Sequence, residues 1–151
     1  MSTPWTDDAR DRFDRIVEDA IEGLPPNYAA LLDEISVVVL DEPTPQMLRD
    51  LGLDRAQPGI ADELCGLHTG TAITERSVEH HAELPTQVHL FRRGIVELAG
   101  GWERRTITED GQTFQVGGEE DIYEEIRITL LHELGHHFGL DEDDLGRLGY
   151  D

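Results

Sequence analysis

Apolar residues at Phe13, Ile16, Val17, Ala20, Ile21 and Leu24 recur at i, i+3, i+4, i+7, i+8 and i+11, one helical stripe. The spacing predicts an amphipathic helix over residues 7–23. Thr6 is placed to cap it, Asp7 and Asp8 suit the positive end of its dipole, and Gly23 with Pro25-Pro26 stops it. Residues 35–40, ISVVVL, are β-branched and almost continuously apolar, which predicts a buried strand ended by Asp41-Glu42-Pro43-Thr44-Pro45. Beyond it the pattern weakens. A short helix is expected over 45–51, then a Gly/Pro loop, a weak strand over 64–69, a polar loop over 71–85 and a third strand over 87–92. In that third strand Val88, Leu90 and Arg92 alternate with His89 and Phe91.

Asp110-Gly111 sits between two alternating runs in residues 103–116, the strongest short-range signal for a β-hairpin. We read that hairpin as a surface ornament rather than a flap over a cleft. The last long helix is expected over 119–138, and its faces differ. Leu130, Leu134 and Phe138 form one i, i+4 string, while Ile128, His132 and His136 form another on roughly the opposite side. Such a helix is wedged between a core and a cleft. Gly139 breaks it, and Asp141 is placed to cap a final helix over 142–148.

At 151 residues the chain is long enough for one ordinary domain with a real core. Acidic residues outnumber basic ones 33 to 12, for a formal charge of -21, which opposes binding to phosphate backbones or anionic membranes. Nucleic acid is not an expected partner. Every basic residue is Arg and none is Lys, which we attribute to compositional bias rather than to carboxylate-pairing forks. The one cysteine, Cys65, cannot form an intramolecular disulfide and is read as small core filling, with metal ligation the minor alternative. The N-terminus lacks the basic and apolar regions of a signal peptide, and no apolar stretch approaches ~18 residues. A cytoplasmic protein without a membrane partner is expected.

Chemistry concentrates in His132-Glu133-Leu134-Gly135-His136. One helical turn rises ~5.4 Å, so both histidines can turn a ring nitrogen toward one ion at ~2.0–2.1 Å, and zinc fits that pair best. Glu133, about 100° around the helix, lies beside such an ion, where it can take a proton from metal-bound water. The third ligand is then the open question. Fifteen residues follow His136, too few for a Glu on a distant later helix, so the expected solution is a tight turn at Gly139, as in HExxHxxGxxH. The position of the last His holds Glu142. Asp141 and Asp143 are its rivals, and if Asp141 caps the final helix Glu142 is freer to ligate.

Three segments, LLHELGHHFGLDEDDL at 130–145, ELCGLHTGTAITERS at 63–77 and QVHLFRRGIVE at 87–97, resemble the small bacterial zincin-like metallopeptidases, or minimal zincins. The resemblance implies an α+β fold: a small mixed sheet packed on an N-terminal helix and on the HExxH helix, in a single domain over 1–151. It also implies zinc (Zn²⁺) held by His132 and His136, Glu133 as general base, and an acidic third ligand after Gly139. The family position often written Asp is Glu142 here, and residues 101–118 look like an added hairpin. A Met-turn is absent, since the only methionines are Met1 and Met47. The expected activity is zinc-dependent hydrolysis of peptide bonds in a peptide or protein substrate, modest or narrowly directed, because a carboxylate ligand leaves the water less acidified. In zincins a sheet edge strand holds the extended substrate, and residues 87–92 are the candidate. The charge of the chain favours basic or neutral peptides. The rival readings are a zinc-binding or protein-interaction module on the same scaffold, and a hydrolase of non-peptide amides. Among the other histidines, His137 is expected to donate a hydrogen bond or face solvent, His80 and His81 to lie on a surface loop, and His68 and His89 to sit on strands. Tyr150 is read as part of a frayed tail.

Overall fold

The computed structural model describes residues 5–50, 65–69, 87–140 and 142–149, and leaves the side chains of His68, Thr69 and Glu142 outside that description. The expected polar loop with His80 and His81, Asp141 and Tyr150 also lie outside it. Helix α1, Asp7–Glu22, forms as its stripe requires. The Thr6 hydroxyl accepts a hydrogen bond from the Ala9 amide at 3.1 Å, and Phe13, Ile16, Val17 and Ala20 are buried. A short helix α2, Pro26–Ala29, and a 3₁₀ turn, Ala30–Asp33, lead into strand β1, Ser36–Leu40. Helix α3, Pro45–Asp50, is the short helix expected there.

Strands β2, Gly66–Thr69, and β3, Gln87–Phe91, complete a mixed sheet of order β1-β3-β2. β1 runs parallel to β3, pairing Val38 with His89, and β2 runs antiparallel to it, pairing Leu67 with His89. Two expectations are corrected. β1 is half-buried rather than buried, because among the described residues it ends the sheet. β3 is central and paired on both sides, so it has no edge left for a substrate; β2 and β3 both pack against the last long helix, and among the described residues β2 is paired on one side only. Arg92 does not extend β3 but begins helix α4, Arg92–Ala99, which the sequence pattern missed.

The hairpin forms as strands β4, Arg105–Glu109, and β5, Gln112–Val116. Asp110 and Gly111 both take positive φ, 52° and 75°, as a two-residue hairpin turn of this hand requires. Both strands are exposed along most of their length. Helix α5, Glu119–His137, follows, and helix α6, Glu142–Leu148, ends the described chain.

One core joins these parts. Phe13, Ile16 and Val17 of α1, Val88 and Leu90 of β3, Ile95 of α4 and Ile122, Ile126, Leu130 and Leu134 of α5 form a single buried cluster. A part-buried ion network ties α1, the end of β1 and α4 at its margin. Arg92 donates to both carboxylate oxygens of Asp14 at 2.9 and 3.0 Å and to Asp41 at 2.9 Å, and Arg10 grips the same Asp41 at 2.7 and 3.1 Å. These are forked contacts that a lysine does not make, so at least two arginines use the guanidinium geometry. The Arg10 hydrogen bond, with help from Arg92, holds the Asp41 carboxyl below its ordinary value despite its desolvation. No helix among the described residues is long and apolar enough to cross a membrane.

Candidate active site

α5 carries the site near its C-terminal end, and the way it stops shapes the chemistry. Gly139 takes φ 83°, its amide donates to the His136 carbonyl at 2.9 Å, and the Leu140 amide donates to the Gly135 carbonyl at 3.1 Å. This pair of bonds is a Schellman stop, which needs a residue free to enter the left-handed region. The reversal brings the Leu140 carbonyl to 3.1 Å from His136 Nδ1. A carbonyl only accepts, so Nδ1 carries the proton and the lone pair of a neutral ring sits on Nε2. His132 stands one turn earlier, its ring centroid 4.9 Å from that of His136 at an interplanar angle of 81°. Both rings are half-buried, as is Glu133 between them in sequence.

The helix after the turn is locked to the helix before it. Leu145 of α6 is fully buried, and a side-chain carbon placed on Gly135 would lie 2.5 Å from its Cδ2. Gly135 is therefore a notch that seats Leu145 of α6. Among the described residues no group of three or more His, Cys, Asp or Glu side chains is placed to hold a metal ion. Asp144 pairs with Arg147. Glu142 begins α6, one step past the turn, and its side chain is not described.

On the other side of α5, β2 comes close because Gly66 has no side chain. A carbon added there would meet Thr129 Cγ2 at 2.6 Å, the His89 carbonyl oxygen at 3.1 Å and Glu133 Cγ at 3.2 Å. Thr129 turns its methyl that way because its hydroxyl donates to the Glu125 carbonyl at 2.7 Å. The result is a cleft of about 220 Å³ that begins at His132 and Glu133 and runs back along α5 past Ile128 to Glu125. Cys65 and Gly66 of the strand side form one wall, and Leu98 of α4, 64% exposed, stands on the rim.

Two titratable groups in this cleft are displaced from their ordinary values. Burial, then the charges of Glu125 and Glu133, push the Cys65 thiol up to about 11. At neutral pH it is a thiol, not the thiolate that binds zinc. Cys65 both packs on the core and lines the cleft, so core filling describes only part of its place. Burial, then Glu124 and Asp121, push the Glu125 carboxyl up. Sequence reasoning missed Glu125, although the signal was present: Glu125, Ile128 or Thr129, His132 and His136 share one helical face.

Other expectations divide. His137 does not face solvent but is fully buried. His89 is buried in β3, stacked on Phe91 at 6.4 Å between centroids, and does not line the cleft. His68 lies in β2, with its side chain outside the description.

The imidazole pair suits a metal ion of zinc's character: two nitrogens one turn apart, one of them fixed as an Nε2 donor by the Leu140 carbonyl. Compared with known proteins, residues 32–150 match a family model described as zincin-like metallopeptidase. No individual curated protein matches the chain.

Proposed function

The chain belongs to the zincin-like metallopeptidases, and from that premise we propose that it hydrolyses peptide bonds with zinc held by His132, His136 and Glu142. When bound, zinc supplies a Lewis acid that polarises the scissile carbonyl and makes water easier to deprotonate. Glu133 takes the proton from the attacking water and passes it to the leaving amine. His136 is kept in the ligating tautomer by the Leu140 carbonyl, and this contact is the observation that carries the reading. A helix-surface histidine needs no such partner. The substrate lies extended along β2, which ends the sheet among the described residues, and adds its backbone there beside Glu133.

Metal content and peptide cleavage of three proteins test this. Glu133→Gln should keep zinc at the wild-type level and lose cleavage by at least ~100-fold, within the range general-base catalysis supplies. Glu142→Ala should lose most of its zinc, because two histidines alone hold it poorly. Cleavage unchanged in Glu133→Gln sinks the mechanism, and full zinc in Glu142→Ala sinks the third ligand. Zinc bound by wild type with no cleavage of any peptide in a broad library would favour the interaction-module reading instead.

A further inference from the structure

The cleft beside Glu133 does not end at the reacting groups. It continues along α5 for two turns to Glu125, a rise of about 10 Å from His132. Its volume of about 220 Å³ is below the ~300–1,000 Å³ of sites that enclose whole small molecules, and suits one long side chain. Its walls are apolar through Ile128, Leu98 and Cys65, and its far end is the Glu125 carboxylate. That carboxylate meets no cation among the described residues, and the charges that act on it, those of Glu124 and Asp121, are acidic. An apolar passage whose closing carboxylate meets no cation among the described residues matches a side chain with a long hydrocarbon stem and a cationic head.

We propose that Glu125 is a specificity-determining residue, and that this cleft selects peptides with Arg or Lys within two positions of the scissile bond. The distance supports that placement. An extended chain advances ~3.3 Å per residue, so the stem of one basic side chain spans what remains of the way to Glu125. The stem packs on Ile128 and Leu98 while the head pairs with the carboxylate, and the overall charge of -21 attracts basic peptides to the protein.

This inference rests on the peptidase reading, and the test separates the two. Cleavage by wild type and Glu125→Gln is measured on matched peptides carrying Arg, norleucine or Glu near the cleaved bond. Binding of the same peptides to Glu133→Gln, and to Glu133→Gln with Glu125→Gln, is followed by fluorescence anisotropy. Wild type should prefer Arg over norleucine by roughly 10- to 100-fold in kcat/KM, the range of a hydrogen bond to a charged group. Glu125→Gln should lose that preference, its kcat/KM for the Arg peptide falling to that for the norleucine peptide, while its circular dichroism spectrum and melting curve match those of wild type, which shows that it has folded. Equal cleavage of the Arg and norleucine peptides by wild type overturns the proposal and leaves the peptidase reading standing. Absence of all cleavage, with Arg peptides still bound tightly only when Glu125 is present, sinks the peptidase reading and upholds the pocket. If neither cleavage nor binding distinguishes Arg from norleucine, the pocket is refuted. Wild-type comparison of the peptides needs no variant and holds even if Glu125→Gln is unstable.

Discussion

Gly139 serves His136 through the backbone. Its positive φ reverses the chain, and the reversal delivers the Leu140 carbonyl to Nδ1. Gly139→Ala forces a side chain into the left-handed region and should cost about 1–2 kcal/mol, whereas Gly139→Asn, which tolerates that region, should cost less. Thermal melts and zinc affinity should fall in the order wild type, Asn, Ala; an alanine variant equal to wild type in both would show that the stop does not depend on this φ. The place of the motif was legible because its spacing is local: His132 and Glu133 line the cleft near the end of α5, His136 follows one turn on with its ring beside that of His132, and Gly139 is where the helix stops. Glu125 was not singled out, since an acid on a helix ordinarily reads as a solvated one. Only the approach of Cys65 and Gly66 from another strand gives it a wall to face. The buried state of His137 was hidden for the same reason, because what covers it is set by the fold and not by its own turn.

Between elements, the seat of β2 on α5 is the contact that makes the cleft. Gly66→Ala places a carbon 3.1 Å from a backbone oxygen of β3 as well as against Thr129, so the strand itself must shift. We expect a loss of about 1–3 kcal/mol in urea unfolding, as for overpacking, together with reduced cleavage. A stable, fully active Gly66→Ala protein would mean that β2 is not held where the structure has it. α1, the hairpin and α6 could be read from the chain because caps, periodicity and Asp110-Gly111 are local signals. The place of β3 could not, since its two partners come from residues 36–40 and 66–69 and strand order is a long-range choice. α4 was hidden by its opening: Arg92-Arg93-Gly94 follows an alternating run and looks like the frayed end of a strand. Arg92 enters a helix because Asp14 and Asp41 receive its guanidinium there.

The whole molecule carries a net charge of -21, and its self-repulsion opposes compaction. Raising salt from ~0.01 M to ~0.15 M shortens the screening length from ~30 to ~8 Å, so the melting temperature should rise over that range. A flat or falling profile would mean that the charges are already compensated in the fold. Acid should destabilise through two groups with lowered pKa values. Burial lowers His89 from its ordinary 6.5, so its stabilising share is present above 6.5 and is lost as pH falls through the folded value. Asp41, lowered from 3.8 by Arg10, adds a second loss at more acidic pH. Glu125 acts oppositely, favouring the fold below 4.5 and weakening it as pH rises through its raised value. His89→Gln should therefore flatten stability just below pH 6.5, as read by urea melts; parallel curves for the two proteins would remove His89 from the account. The close seating of Gly66 has one more consequence. The slot between strand and helix is gauged by backbone meeting side chain across a missing Cβ, while the selectivity we propose rests on Glu125, Ile128 and Leu98. Width and taste are thus separable traits, and descendants of this chain can change what they select by single substitutions along one wall without having to re-space the scaffold.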